Sequence, residues 1–240
     1  MQPAMTQSRT DIATPPTAPA SGAVPLLTLV IPAYNQESRL PSSLSKIDAF
    51  LRQQPYQAEG LVVENGSRDD TSGIVERFCA DHPYVRLLHS VKGKGAAVQV
   101  GMLAAAGDYA LICDADLAMP IAETAKLLSA VQNGFDVAIA SREGGGAVRF
   151  PEPYYRHLMG RVFNTLVRIL AIPGLQDTQC GFKLFRRAVA HDVFARQTMG
   201  GWAFDVEVLA IALRRGYKVV EVPIHWYFMT ERKILSLIHI

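Results

Sequence analysis

The sequence predicts an α/β protein with a doubly wound, mostly parallel β-sheet flanked by helices. Short apolar runs alternate with amphipathic segments at the spacing of βαβ units. Hydrophobic residues make up 49% of the chain and charged residues 19%, so a sizeable core can form. Polar residues also follow the predicted strands, at Asn35, Glu64, Lys92 and Asp114. We expect them at one edge of the sheet, where such folds bind ligands.

The first half of the chain is predicted to alternate regularly between strands and helices. Each strand is a short apolar run followed by a polar turn, and each helix repeats apolar residues every three or four positions. In chain order, these elements are a strand at 26–31, a helix near 40–51, a strand at 61–64, a helix at 71–81, a strand at 85–88 and a helix at 93–106.

The second half starts in the same way and then changes after Ser141. A loop rich in glycine and proline follows at 142–153, and a polar turn is expected at 176–181. In chain order, the predicted elements are a strand at 109–113, a helix at 121–133 ended by Gly134, a strand at 137–140, a helix at 155–169 ended by Pro173-Gly174, a strand at 182–185, helices at 188–194 and 204–214, and a strand at 219–224.

The length fits one large domain or two small ones, and we expect a single domain over residues 24–234. Residues 1–23, rich in Ala, Pro, Ser and Thr, are expected to be a disordered tail, and residues 235–240 are an uncertain C-terminal end. The net charge of +2 gives no support for a nucleic-acid binder. Three widely spaced cysteines favour a reduced, cytoplasmic compartment. The apolar runs are too short to span a bilayer, so any membrane contact is expected to be peripheral.

The strongest chemical signal is the pair Asp114 and Asp116 at the end of a predicted buried strand. In extended backbone these residues point to the same side, and two close carboxylates repel each other unless a cation lies between them. Oxygen ligands of this kind suit Mg²⁺ or Mn²⁺, and Mg²⁺ usually also binds substrate phosphates. The alternative is a polar loop that caps the helix beginning near Ile121.

Other polar motifs are compatible with a phosphate-bearing ligand. The turn 65–67 can direct backbone amides at a ligand, and Glu64 can accept hydrogen bonds from a base or ribose. The segment 92–95 places ammonium groups and exposed amides at a helix start, which suits phosphate, although it lacks the Walker spacing. Arg142, Arg149 and Arg156 could bind an acceptor phosphate, or they could be unrelated surface residues.

Several motifs together resemble those of inverting family 2 glycosyltransferases with the GT-A fold, a Rossmann-like nucleotide-sugar-binding fold. The resemblance covers roughly residues 26–233, and it is nearest to the dolichyl-phosphate β-glucosyltransferase branch, with the mannosyltransferases next. It is carried by the motifs at 30–37, 63–71, 93–98, 114–120, 177–183 and 201–207. Ala118 stands where the mannosyltransferase branch often has a metal-holding Gln, which favours the glucosyl branch.

The resemblance implies an enzyme of protein glycosylation, a hexosyltransferase that moves glucose from UDP-glucose to a polyprenyl (dolichyl) monophosphate with inversion. It implies Mg²⁺ or Mn²⁺ as cofactor, held by Asp114 and Asp116. Two alternatives remain open. One is a polyprenyl-phosphate mannosyltransferase that uses GDP-mannose, and the other is a nucleotide-sugar-binding module without transferase activity.

Site residues follow from the same resemblance. The implied catalytic residues are Asp116, Arg142, Arg156 and Asp177. The implied donor-binding residues are Pro32, Tyr34, Asn35, Glu37, Glu64, Asn65, Gly66, Ser67, Lys94, Asp114, Ala115 and Asp116. The implied acceptor-binding residues are Arg142, Arg156, Asn164 and Glu207.

A polyprenyl phosphate stays in the bilayer, so a cytoplasmic, peripherally membrane-associated enzyme is expected. Residues 154–170 carry a wide apolar stripe interrupted by arginines, which is typical of a helix lying in the membrane interface. A core helix of an α/β protein shows the same stripe, so both interpretations remain open.

Overall fold

The computed structural model describes residues 24–143, 146, 148, 149, 172 and 174–226 of the 240-residue chain. Helices and strands alternate over most of this range, as the sequence predicts. The strands are β1 (Leu27–Ala33), β2 (Ala58–Glu64), β3 (Val85–His89), β4 (Tyr109–Ile112), β5 (Val137–Ser141), β6 (Val148–Arg149), β7 (Lys183–Arg186), β8 (Val219–Pro223) and β9 (His225–Trp226). The helices are α1 (Leu40–Gln53), α2 (Thr71–Asp81), α3 (Lys94–Ala104), α4 (Thr124–Gln132), α5 (Arg187–Phe194) and α6 (Phe204–Arg214).

Seven of the strands form one sheet in the order β3-β2-β1-β4-β7-β5-β8. Strand β7 is antiparallel to both of its neighbours, and the other pairs are parallel. The prediction of a mostly parallel sheet is therefore confirmed, with β7 as the exception. Strands β6 and β9 pair separately in a small parallel ribbon.

Helices cover both faces of the sheet, so the doubly wound prediction is also confirmed. Buried residues of α1, α2 and α4 pack on one face, and those of α3, α5 and α6 pack on the other. All seven residues of β1 are buried, as expected for a central strand that is covered on both sides.

The topology brings several predicted site residues to one edge of the sheet. Asn35, Asn65 and Asp114 follow the carboxyl ends of β1, β2 and β4, which run parallel. Arg142 follows β5 at the same edge, because β4 and β5 are both antiparallel to the strand between them. In the antiparallel register Ile112 lies opposite Lys183, so the turn before β7 faces Asp114.

Some predictions fall outside the described residues. These are the tail 1–23, the end 235–240, the helix 155–169 with its proposed membrane stripe, and the site residues Arg156 and Asn164. Within the described part of the chain, no helix is long and apolar enough to cross a membrane.

Helix α3 packs so closely on the sheet that Gly101 leaves no space for a larger residue. A Cβ atom at this position would lie 2.3 Å from Val30 Cγ1 and 3.0 Å from Val63 Cγ2. These methyl groups belong to stiff, β-branched side chains that are fully buried, so they cannot move aside easily. Glycine at this position therefore sets the distance between α3 and the sheet.

We expect Gly101→Val to lower the free energy of unfolding by about 2 kcal/mol or more, because the added atoms overpack the core. Gly201→Val is the control, since a Cβ atom at Gly201 would contact nothing within 4 Å. Urea denaturation followed by circular dichroism measures both variants. Equal stability of the two variants would contradict the close packing of α3.

Candidate active site

The loops that follow β1 and β2 are tied together by side-chain hydrogen bonds. The Asn35 amide donates to Ser67 Oγ at 3.0 Å, and the Arg68 amide donates to Asn35 Oδ1 at 2.9 Å. The Gln36 amide donates to Thr71 Oγ1 at 2.8 Å. Asn35 itself adopts a left-handed backbone conformation with φ of 49°, which Asn tolerates better than most residues. Two of the predicted donor-binding residues, Asn35 and Ser67, therefore belong to one preorganised rim.

Glu37 adds two more hydrogen bonds between the same two loops. The Glu37 amide donates to Asp69 Oδ2 at 3.1 Å, and Glu37 Oε2 accepts from the Asp70 amide at 3.3 Å. The carboxylate of this predicted donor-binding residue thus contacts the β2–α2 loop.

Glu64 is a buried carboxylate at the end of β2. Its Oε1 accepts from the Ser67 amide, and its Oε2 lies 3.3 Å from His89 Nδ1. Burial alone would raise the pKa of Glu64, but the Ser67 and His89 contacts outweigh it and the pKa is lowered. Glu64 is therefore ionised at neutral pH. A nucleoside would have to share this carboxylate with Ser67 through its remaining lone pairs.

Lys94, at the start of α3, forms an ion pair with the first carboxylate of the Asp-x-Asp motif. Lys94 Nζ lies 2.7 Å from Asp114 Oδ1. Burial would lower the pKa of Lys94, but the charges of Asp114, Asp205 and Asp116 raise it above its usual value. The predicted phosphate-binding lysine and the predicted metal ligand are thus direct neighbours in the structure.

The turn 114–117 fixes the two carboxylates of the motif. The Leu117 amide donates to the Asp114 carbonyl at 3.0 Å, and Asp116 Oδ1 accepts from the Ala118 amide at 3.1 Å. Asp116 therefore stabilises its own turn, whereas the helical segment that starts at residue 121 has no side-chain cap. The alternative of a helix-capping loop is not supported by these contacts.

Gly181 lies directly against the Asp114 carboxylate. A Cβ atom at this position would lie 2.3 Å from Asp114 Oδ2, so a side chain there would displace the carboxylate. Among the described residues, no group of three or more His, Cys, Asp and Glu side chains is arranged to hold a metal. A cation bound here would therefore take most of its ligands from substrate and water.

Arg142 is oriented by the fully buried Asp177. Its Nε donates to Asp177 Oδ2 at 2.7 Å, its Nη2 donates to Oδ1 at 2.8 Å, and its backbone amide donates to Oδ2 at 2.9 Å. Burial would raise the pKa of Asp177, but the Arg142 guanidinium lowers it. Asp177 was predicted to be catalytic. The structure shows that it is buried and holds the partly exposed Arg142 through a bidentate contact, and its catalytic role stays a prediction.

The structure also contains an ion pair that sequence reasoning missed. Lys183 is fully buried in β7, where its Nζ donates to the Cys180 carbonyl at 2.6 Å and to Asp205 Oδ1. Asp205 is buried in the first turn of α6. A lysine within an apolar strand was the available signal, because lysine is almost never fully buried unless it is paired.

Glu207 was predicted to bind the acceptor, and the structure gives it a different set of contacts. Its carboxylate accepts from the Thr198 amide at 3.0 Å and from the Met199 amide at 2.8 Å. Burial would raise the pKa of Glu207, but hydrogen bonds from the Thr198 hydroxyl and from the Met199 and Thr198 amides lower it. Glu207 therefore holds the loop before α6, and its predicted contact with the acceptor stays a prediction.

A family model described as glycosyl transferase family 2 matches residues 28–194. A dolichyl-phosphate β-glucosyltransferase of Trichomonas vaginalis is 37% identical over 220 residues, which cover 86% of this chain and 65% of the relative. The human and Saccharomyces cerevisiae proteins of that name are 34% and 33% identical, and the match covers 87% of this chain and 69% of each relative. The chain thus spans about two thirds of the length of these relatives.

Solved structures of glycosyltransferases share the fold. Glucosyl-3-phosphoglycerate synthase from Mycobacterium tuberculosis, in complex with UDP, superimposes with a TM-score of 0.62 at 18% identity, covering 88% of this chain and 74% of that one. A Pyrobaculum calidifontis mannosyltransferase, in complex with GDP-mannose and Mn²⁺, gives 0.58 at 20% identity, covering 92% and 61%. A further complex of the mycobacterial enzyme holds Mg²⁺ and UDP. The expected GT-A fold is confirmed, and related structures of this fold hold Mn²⁺ or Mg²⁺.

We expect Asp177→Asn to lower the free energy of unfolding by about 3 kcal/mol at pH 7, because it breaks a buried ion pair. The pKa of Asp177 is lowered in the folded state, so its stabilisation is complete above the unfolded pKa of about 3.9. It is lost as the pH falls through the lower, folded pKa. Urea unfolding from pH 7 to pH 3 should show the difference between wild type and variant shrinking at the acid end. A constant difference would contradict this assignment.

Proposed function

Because the chain belongs to glycosyl transferase family 2, we propose that it is a hexosyltransferase that moves glucose from UDP-glucose to a polyprenyl (dolichyl) monophosphate. The names of its relatives supply the donor sugar and the lipid. One observation of this chain carries the proposal. Acidic Asp114 and Asp116 follow β4, and Arg142 follows β5, with only β7 between these strands. Two strand spacings amount to roughly 10 Å, which is room for a sugar between an anionic donor and an anionic acceptor.

The acceptor phosphate supplies its own nucleophile. Its second pKa is about 6, so an oxygen is largely ionised at neutral pH and no strong general base is needed. This oxygen attacks the anomeric carbon from the side opposite UDP. The bond from that carbon to the β-phosphate oxygen breaks as the new bond forms, so UDP leaves with the electron pair and the configuration inverts.

The protein's part in this reaction is to hold two anions in line. Arg142 binds the acceptor phosphate, and Asp177 keeps the plane of the guanidinium fixed, so little side-chain freedom is lost on binding. Lys94 adds a positive charge beside the donor diphosphate. The turn 65–67 and the carboxylate of Glu64 face the nucleoside, and the hydrogen bonds between the two loops hold this rim in place.

The two carboxylates at the end of β4 also fit a divalent cation. Asp114 and Asp116 offer hard carboxylate oxygens, and Mg²⁺ is commonly bound by one or two carboxylates together with substrate phosphates. When bound, the cation would neutralise the charge that develops on the UDP leaving group. Asp114 and Asp116 would hold it at the carboxyl end of β4.

We place this reaction at the cytoplasmic surface of a membrane, with the protein bound peripherally. A long polyprenyl chain cannot leave the bilayer easily, so the acceptor stays in the membrane. The enzyme has to reach the phosphate at the level of the lipid headgroups.

A transfer assay with radiolabelled UDP-glucose or GDP-mannose and dolichyl phosphate tests this function. We expect lipid-linked glucose to form in the presence of Mg²⁺ or Mn²⁺. Asp116→Asn should reduce transfer by at least about a hundredfold, because weaker stabilisation of the leaving group raises the barrier. It should also weaken metal-dependent UDP binding in calorimetry. Transfer from GDP-mannose alone would overturn the donor assignment, and full activity of Asp116→Asn would overturn the metal site.

We expect Arg142→Lys to raise the KM for the acceptor about tenfold while leaving the affinity for UDP unchanged. Lysine keeps a positive charge opposite Asp177 but loses the planar fork that binds a phosphate through two hydrogen bonds. Arg196→Lys is the matched control, because Arg196 pairs with Asp192 on α5 at the protein surface. Loss of UDP binding with a normal acceptor KM would place Arg142 in the donor site instead.

A further inference from the structure

Three exposed apolar side chains lie on the loop before α3 and on the loop before α6, which approach each other at Gly93 and Gly200. Val91 is 77% exposed, Met199 is 49% exposed and Trp202 is 72% exposed. The loop before α6 contacts the start of α3, where the Ala96 amide donates to the Gly200 carbonyl at 3.0 Å. We call Val91, Met199 and Trp202 the rim patch. These residues lie on other loops than the rim formed after β1 and β2. Single exposed apolar residues are common, but three large ones on two adjoining loops make a candidate interaction site.

The loop that carries Met199 and Trp202 is firmly held, so its exposure is a fixed feature of the fold. Gln197 is buried, and its Nε2 donates to the Gly95 carbonyl at 2.9 Å and to the Met199 carbonyl at 2.8 Å. Glu207 accepts hydrogen bonds from the amides of Thr198 and Met199. The backbone is therefore anchored to both α3 and α6 while the apolar side chains stay in solvent.

The rim patch borders the candidate active site and lies next to two lysines. The Trp202 ring lies 5.3 Å from Lys94 Nζ, which forms the ion pair with Asp114. Lys92 is exposed on the loop that also bears Val91, and its Nζ lies 5.3 Å from the Tyr34 ring. A tryptophan, other apolar side chains and a lysine together complement the interfacial region of a bilayer that contains anionic lipid.

We propose that the rim patch docks this protein on the membrane, with Trp202, Met199 and Val91 inserted at the boundary between headgroups and acyl chains. The inference rests on the proposed function, because a lipid-bound phosphate must reach the site from the bilayer. Docking through this patch brings the carboxyl end of the sheet to the membrane surface. The surface that the rim patch contacts is the lipid bilayer itself. If Trp202 instead bound a protein partner or the donor sugar, the tests below would give different outcomes.

The intrinsic fluorescence of the full chain gives a direct test that needs no substrate. The chain has two tryptophans, and Trp226 is only 3% exposed. We expect vesicles of phosphatidylcholine and phosphatidylserine to shift the emission to shorter wavelength, and brominated lipids to quench it. Trp202→Phe should remove both signals while the protein still binds the vesicles. Binding without quenching in the wild type, or no vesicle binding at all, would overturn the proposal.

A second test separates docking from catalysis. The double variant Val91→Ser/Met199→Ser should reduce partition onto these vesicles by about tenfold, because apolar area is lost from the contact. Leu103→Ser is the matched control, since Leu103 is 41% exposed about 14 Å further along α3. Leu103→Ser should leave the partition unchanged. Equal losses in the two variants would show that the contact is not confined to the rim patch.

Transfer of glucose distinguishes failure of this inference from failure of the proposed function. With a short, water-soluble polyprenyl phosphate and no vesicles, we expect the Val91→Ser/Met199→Ser variant to match the wild type. Loss of that reaction would assign the patch to substrate binding and overturn the docking role. Transfer by a wild type whose Trp202 is not quenched would refute docking alone. Quenching in a protein that transfers no glucose would refute the proposed function alone.

Discussion

The pairing of buried charges at the carboxyl end of the sheet is the constraint on which the site depends. Lys183 lies inside a sheet that is covered on both faces, where an unpaired ammonium would be strongly destabilising. Its partner Asp205 lies in the first turn of α6, so the ion pair fixes the start of that helix against β7. Because Glu207 follows within the same turn, the loop before α6 is placed against α3. The position of Trp202 beside Lys94 follows from this chain of contacts.

The antiparallel strand β7 shapes the site in a second way. It separates β4 from β5 by one strand, so the acidic pair and Arg142 lie on opposite sides of a gap rather than in direct contact. The turn that leads into β7 brings Gly181 against the Asp114 carboxylate, and the same stretch of chain supplies Asp177 for Arg142. Residues 177–183 therefore supply Asp177 to the pair with Arg142 and Lys183 to the pair with Asp205. Gly181 of the same segment lies against Asp114, which pairs with Lys94. A short polar turn therefore organises both the proposed donor side and the proposed acceptor side.

Much of the fold could be predicted from sequence because its signals are local. Each parallel strand is a continuous apolar run, and the residues that follow it are polar, so Asn35, Glu64 and Asp114 were expected at one edge. The antiparallel direction of β7 and the order of the strands depend on contacts between distant segments, which no local pattern contains. The same holds for the pairs of Arg142 with Asp177 and of Lys183 with Asp205, separated by 35 and 22 residues. The roles of Arg156 and Asn164 stay predictions.

The loops at this edge of the sheet are held firmly by hydrogen bonds, and one of them also exposes apolar side chains. The rim formed by the loops after β1 and β2 is held by reciprocal hydrogen bonds, so a donor would meet polar groups that are already in place. The loop before α6 is equally well anchored, yet it presents Trp202 and Met199 to solvent, although burying them would stabilise the isolated fold. A fold that fixes apolar side chains in solvent with so many backbone contacts forgoes stability at that place. Burial of these side chains against another surface would recover that stability, and beside the proposed site for a lipid-bound phosphate the nearest apolar medium is the bilayer.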